Sequence, residues 1–454
     1  MSRSQAEKTR AIALVDGEHY LPVLKWALEG LKARYQLVGA VFLGGTEKIG
    51  SEEDLRALGV PVIYGKPIPQ ALREAVEFFA PEVAVDLSDE PVVGYWERFQ
   101  MASLLLSWRV HYVGQDFAFT PPRRVPIAIP SIGVAGTGKR TGKTAVCGYA
   151  ARILKERWRV GIVTMGRGGP EEPEVLHGEE MELTPEALVR LADEGRHAAS
   201  DHFEDALMAR VLTIGCRRCG GGMSGGAPFF SNVEAGAKLA EGFGLDLVLF
   251  EGSGSTAAPI QVDRQVLIVG AHQPLDYIRG YFGPYRILQS HLVVLTGCEP
   301  PLADEEKVEA MEAAVREVNP EIPVIRTVFR PRPLESIEGA KVFLAITAPK
   351  DILPVLADYL EEHHRCQVVG VSPHLSKRPK LRQELAAAPA FDVLLVELKA
   401  AGVDVGTRLA LKQGRKVVFV DNEPVGEATD ELARHLHHLA EEAVREKKGK
   451  AGDV

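Results

Sequence analysis

Lys143 and Thr144 are the residues whose setting most narrowly dictates a chemistry. They close the run Ser131-Ile-Gly-Val-Ala-Gly-Thr-Gly-Lys-Arg-Thr-Gly-Lys-Thr-Ala-Val, in which an apolar strand leads into a glycine-containing loop and then a helix. That order presents backbone N–H groups and a helix N-terminus to an anion, and adds one ammonium and one hydroxyl. Lys143 is placed to meet the β- and γ-phosphates of a nucleotide, and Thr144 to hold Mg²⁺. The loop departs from strict Gly-x-x-x-x-Gly-Lys-Thr, because its first glycine position is Thr137, with Gly136 and Gly138 on either side. Gly136, Thr137, Gly138, Lys139, Arg140, Thr141 and Gly142 complete the expected nucleotide site. A second metal ligand is expected at Glu251, where Leu245-Asp-Leu-Val-Leu-Phe-Glu carries a carboxylate at the tip of an apolar strand. Mg²⁺ takes one or two carboxylates alongside phosphate oxygens, directly or through water.

Between these two motifs lie segments suited to a second anion. Thr164-Met-Gly-Arg-Gly-Gly-Pro170 offers Arg167 for bidentate phosphate recognition amid glycines that permit close approach. Thr213-Ile-Gly-Cys-Arg-Arg-Cys-Gly-Gly-Gly-Met-Ser-Gly-Gly226 reads as a flexible loop carrying Arg217 and Arg218. Zinc on Cys216 and Cys219 is the competing reading, but tetrahedral zinc needs four ligands and no second Cys pair exists. A redox pair lacks its flanking helix. The acids at Glu171, Glu172, Glu174, Glu179, Glu180 and Glu182 read as a solvated loop. Near the N-terminus, Asp16, Glu18 and His19 stand just past the first strand, at the edge where open α/β sheets bind ligands. His19, with Lys48, is a candidate for holding an anion brought between two domains. Arg326, Arg330 and Arg332 are spare cations.

Short apolar runs alternating with stretches of helical period are expected to position these groups on parallel α/β architecture. Five strands are expected at 11–15, 37–43, 60–64, 83–87 and 110–113, giving a Rossmann-like first domain. The proline-punctuated Thr120-Pro-Pro-Arg-Arg-Val-Pro126 reads as a linker. Beyond it strands are expected at 127–135, 160–164, 211–214, 245–250, 266–269 and 291–296, with a helix at 185–193 capped by Thr184. A last set spans 341–346, 367–371, 392–397 and 416–420, followed by a long polar helix to Lys448 and a disordered charged tail. The expected domains are 1–125, 126–333 and 334–454: a Rossmann-like parallel sheet, a P-loop NTPase-like parallel α/β domain and a C-terminal α/β extension.

Composition bounds what this can be. Of 454 residues, 46% are hydrophobic and 25% charged, which excludes disorder of the whole. Lys plus Arg (53) against Asp plus Glu (62) leaves −9, which argues against nucleic-acid or membrane-surface partners. The apolar stretch after the basic Met1 to Arg10 stops at Asp16, and no apolar run reaches the ~18 residues of a span. With only five scattered cysteines, a cytoplasmic location is expected.

The phosphate loop resembles the variant loop of dethiobiotin synthetases, ATPases whose first glycine also lies one residue further out, and Glu251-Gly resembles that class's metal-binding strand end. By that resemblance Thr296, Cys298 and Glu299 stand where the base is often read, although a plain turn explains them equally. Ala13-Leu-Val-Asp-Gly-Glu-His-Tyr20, Thr213-Ile-Gly-Cys-Arg-Arg-Cys-Gly220 and Phe250-Glu-Gly-Ser-Gly254 further resemble the cyclic 2,3-diphosphoglycerate synthetase family, over nearly the whole chain. The resemblance implies ATP- and Mg²⁺-driven closure of a phosphoanhydride between the two phosphates of 2,3-diphosphoglycerate, in a homodimer. Lys143, Lys139, Arg140 and Arg167 would then neutralise the transferred group, and Arg167, Arg217, Arg218 and His19 would bind substrate. Rival readings are a carboxylate-activating ligase of the dethiobiotin synthetase type and a nucleotide-switch metallochaperone using Cys216 and Cys219.

Overall fold

The computed structural model describes residues 8–44, 52–182, 184–194, 201–222, 226–398, 403–426 and 429–452. They divide into two compact units, Met1–Arg123 with Leu275–Gln289, and Arg124–Pro274 with Ser290–Val454.

The first unit is built on a six-stranded sheet ordered Val62–Ile63, Gln36–Phe42, Arg10–Val15, Val83–Asp86, His111–Val113 and Ala118–Phe119. All neighbours pair in parallel except the last two strands. Both faces are covered, which explains why Ala11 to Val15 is apolar without alternation. Residues 275–289, remote in sequence, complete this core. Phe282 packs edge-on against Phe99 and Phe119 at centroid distances of 5.4 and 5.3 Å.

The second unit carries a thirteen-stranded sheet. Its P-loop half runs Glu174–His177, Leu212–Cys219, Val160–Gly166, Leu247–Glu251, Ser131–Gly136, Arg264–Gly270, Leu292–Thr296 and Val324–Pro333. From Leu212–Cys219 through to the start of Val324–Pro333 the pairing is parallel, so the carboxyl ends share one edge. Val324–Pro333 joins the halves. Its first residues extend the parallel set, and Val328–Pro333 pair antiparallel with Val420–Val425 of Lys416–Val425. Val393–Glu397, Lys341–Ala345 and Gln367–Ser372 finish the sheet.

Three expectations are corrected here. The strand expected at 127–135 is broken at Pro130, which cannot donate to the ladder; the ordered strand is Ser131–Gly136. Val324–Pro333 went unread because its arginines and prolines mask a strand. Those arginines are not spare: Arg326 pairs with Glu305 and Glu312, Arg330 with Glu299, and Arg332 with Asp421. The long helix expected to end at Lys448 is Thr429–Gly452, running four residues into the tail expected to be disordered, and it is not polar all round: it buries Leu432, Leu436, Leu439, Ala440 and Ala443 against the P-loop core. Arg264 holds the helix through Glu442 at 2.9 Å and through Glu446. Leu436→Ala is therefore expected to cost about 2–5 kcal/mol, read as a lower urea midpoint of the second unit's transition, because it opens a cavity under the phosphate-loop sheet.

Candidate active site

The phosphate loop leaves the buried strand Ser131–Gly136 and enters the helix Lys143–Leu154. Only glycine fits at 136, where a Cβ would stand 2.8 Å from Lys143 Cδ and 2.9 Å from Thr141 Oγ1. Gly142 turns the chain into the helix at φ +85°, and Arg140 also takes a left-handed φ of +62°. Thr137, in the place of the usual glycine, is buried and donates its hydroxyl to Gln273 Oε1. The Lys143 ammonium donates to the Gly138 carbonyl at 2.8 Å, folding back over the nest a phosphate would enter. Thr296 buttresses the loop from a neighbouring strand, donating at 2.9 Å to the Thr141 carbonyl. Of the residues read as base contacts, Glu299 is clasped by Arg330 at 2.6 and 2.7 Å, while burial pushes the Cys298 thiol up to about 11.

The metal candidates meet directly: Thr144 Oγ1 donates to Glu251 Oε1 at 2.6 Å. Beside them is a residue the motif search missed. Asp205, on the helix Asp201–Ala209, is 1% exposed; among the described residues no N–H or hydroxyl donates to its carboxylate, which faces Glu251 closely enough to share a proton with it. Burial, then the neighbouring charges of Glu251, Glu204 and Asp201, push its pKa well above the carboxylate range. A pair of buried acids beside the phosphate-loop hydroxyl is the donor set a hard divalent cation fits. The signal was present in Asp201-His-Phe-Glu-Asp-Ala-Leu-Met-Ala, where an acid interrupts an apolar helix face.

The Arg-Arg segment is not a flexible loop: the strand Leu212–Cys219 runs through it. Alternation therefore sends Arg217 and Arg218 to opposite faces. Arg217 Nε donates to the Pro170 carbonyl at 2.7 Å. Arg218 Nη2 donates to the Ser253 carbonyl at 2.8 Å, two residues past Glu251. The Nη2 atoms of Arg167 and Arg218 stand 2.7 and 3.5 Å from where a Cβ on Gly254 would lie. Burial, then the charge of Arg167, lower the Arg218 pKa, the mark of two cations sharing one place. Cys216 is buried and Cys219 exposed, an odd number of residues apart on the strand, so they do not converge on a metal.

His19 belongs to the first unit, where its ring lies 3.0 Å from Asp16 Oδ1 and 3.4 Å from Asp89 Oδ2. These three ligating atoms lie within 4.8 Å of one another, but Asp16 already accepts from the Glu18 and Asp89 N–H groups. Lys48 and residues 223–225 of the glycine-rich segment lie outside the described residues. Of the six crowded glutamates, Glu174 meets His202 at 3.0 Å and Glu182 meets Arg190 at 3.0 Å. Thr184 caps its helix, accepting from the Ala187 N–H at 3.2 Å.

Three family models match consecutive stretches. The cyclic 2,3-diphosphoglycerate synthetase N-terminal domain matches residues 10–120, the P-loop domain 131–328 and the C-terminal domain 333–423. Among curated relatives, the cyclic 2,3-diphosphoglycerate synthetase of Rubrobacter xylanophilus is 49% identical over 98% of this chain and 99% of its own length. That of Methanothermus fervidus is 48% identical, over 92% and 94%. Among solved structures, the apo form of LpxK from Aquifex aeolicus in complex with ATP aligns at a TM-score of 0.40 and 15% identity, covering 70% of this chain and 91% of LpxK, too distant to bear on the site.

Proposed function

Because the chain belongs to the cyclic 2,3-diphosphoglycerate synthetase family, we propose that it uses ATP to join the two phosphates of 2,3-diphosphoglycerate in an intramolecular anhydride, releasing ADP and inorganic phosphate. The observation that supports this most is the convergence of Arg167 and Arg218 at Gly254, just past Glu251 on the sheet edge that carries the phosphate loop. Among the described residues neither arginine is paired with a carboxylate. Two phosphates of one small molecule repel each other, and paired guanidiniums offset that repulsion.

In the first step an oxygen of one substrate phosphate attacks the γ-phosphorus; the bond to the β–γ bridging oxygen breaks and ADP departs. In the second, an oxygen of the other phosphate attacks the phosphorus bearing the new anhydride, the ring closes and orthophosphate leaves. Lys143, with Lys139 and Arg140, offsets charge on the transferred group, and Arg167 and Arg218 align the attacking phosphate. Thr144, Glu251 and Asp205 would hold Mg²⁺, which would supply further neutralisation of phosphate charge.

Substrate dependence tests the reading: phosphate release from ATP should require 2,3-diphosphoglycerate and fail with 3-phosphoglycerate, which has only one phosphate to offer. Equal release with both would overturn it. Arg218→Ala should raise KM for 2,3-diphosphoglycerate by roughly 10- to 100-fold, the equivalent of a charge-assisted pair, while leaving KM for ATP in place. Arg217→Ala, on the opposite strand face, serves as the control.

Homodimer formation and a cytoplasmic location belong to the same reading. Five unpaired cysteines suit a reducing compartment. Tyr20, Val23 and Trp26, 65%, 46% and 77% exposed, offer an apolar face for a second copy. Sedimentation equilibrium at twice the chain mass would agree with a dimer; a monomer would not. No helix among the described residues is long and apolar enough to cross a membrane.

A further inference from the structure

A cavity of about 380 Å³ opens beside the phosphate loop, entirely within the second unit. One end is the loop itself, at Gly142 and Ala145, with Thr296 and Gly297 at the neighbouring strand end. The other end is made by the C-terminal α/β segment, through Thr347, Ala348, Leu356, Glu397, Leu398 and Asn422. A nucleotide with its terminal phosphates over Lys143 must run its sugar and base away from the loop. This cavity begins where such a nucleotide would pass the first turn of the helix Lys143–Leu154. Its volume lies within the usual range for small-molecule sites, about 300–1,000 Å³, and its walls are largely apolar, as a base face requires.

Its polar corner is organised. Glu397, 6% exposed, accepts from the Thr347 N–H at 2.9 Å, from the Thr347 hydroxyl at 2.6 Å and from Asn422 Nδ2 at 2.6 Å. A carboxylate only accepts, so it forces the Asn422 amide to turn its nitrogen inward. Asn422 is left with one carbonyl oxygen and one N–H for a ligand, a donor beside an acceptor. That is the complement of the adenine edge formed by the exocyclic amine and a ring nitrogen.

We propose that this cavity is the base site, with Asn422 reading adenine and Glu397 the positioning residue that orients it. The proposal deepens the ATP-dependent reading and rests on it. It assigns to the C-terminal segment the task that the strand end at Thr296 was expected to perform. Thr296 instead holds the loop, and Glu299 holds Arg330.

The test is calorimetric binding of ADP, GDP and inorganic tripolyphosphate to the full chain, the last engaging the phosphate loop without a base. Wild type should prefer ADP over GDP by at least tenfold. Asn422→Ala should abolish that margin, and Ala348→Phe, which fills the cavity from a loop, should weaken both nucleotides. Glu397→Gln, whose added amide lets Asn422 turn over, should shift the ADP-to-GDP ratio. In all three, tripolyphosphate affinity should move less than twofold. A wild type without the margin, an Asn422→Ala or Glu397→Gln variant that keeps it unchanged, or an Ala348→Phe variant that binds both nucleotides as wild type does would overturn the proposal, as would variants that lose tripolyphosphate together with ADP. No cyclic product is measured, so failure of the proposed reaction would leave this result standing, and the reverse holds equally.

Discussion

Lys143→Ala is expected to lower phosphoryl transfer by on the order of 10²- to 10³-fold or more, the loss seen when one preorganised charge-stabilising group is removed. The ammonium is held against the Gly138 carbonyl in a slot only 8% exposed, so no neighbouring cation can take its place without displacing the loop. Lys139 and Arg140 sit on the outer side of the turn and are exposed. Their alanine variants should therefore cost less than Lys143→Ala. Lys143→Arg should not rescue, because a planar guanidinium cannot take the place of a compact ammonium seated on the Gly138 carbonyl. Single-turnover measurement of ADP formation at saturating ATP and substrate reads the chemical step directly. A Lys143→Ala rate within tenfold of wild type would remove the phosphate loop from the mechanism.

The second large effect is a pair of opposite signs at Asp205. The folded protein raises this carboxyl above its ordinary value of 3.8, by burial and by the neighbouring acids. A group raised on folding costs no stability below pH 3.8, where both folded and unfolded forms are protonated. The cost grows as pH rises from there toward the folded value, because the unfolded chain gains by ionising and the folded chain does not. Asn does not titrate. Metal-free Asp205→Asn should thus melt higher than wild type at neutral pH, and the difference should vanish toward pH 3.8. With Mg²⁺ and ATP the order should reverse, since wild type gains stabilisation from a ligand that the variant holds poorly. Activity should fall at the same time. Scanning calorimetry with and without Mg²⁺ at two pH values separates these effects; an Asn variant that is destabilised without metal would contradict the assignment of Asp205 as a metal ligand.

The nucleotide end of this site could be read in the sequence because its signal is local. A strand, a glycine turn, Lys143 and Thr144 are consecutive, and Glu251 is marked by the apolar run that it ends. The parallel architecture was legible for the same reason, since each buried strand is an uninterrupted apolar run. What escaped reading depends on contacts between distant segments. Asp205 becomes a metal candidate only because the helix Asp201–Ala209 lies against the P-loop strands. Val324–Pro333 is a strand because Glu299, Glu312 and Asp421 neutralise its arginines, and no local pattern announces that. Arg217 and Arg218 read as equivalent neighbours until the strand through them placed one at Pro170 and the other at Ser253. Asn422 carries no motif at all; its role follows from Glu397, twenty-five positions earlier.

The most direct test of the central claim is phosphorus NMR of the full chain with Mg²⁺, ATP and 2,3-diphosphoglycerate. The predicted result is a coupled pair of anhydride resonances belonging to neither ATP nor ADP, growing in step with equimolar orthophosphate and ADP. Orthophosphate and ADP accumulating while both monoester resonances of 2,3-diphosphoglycerate persist unchanged would contradict it.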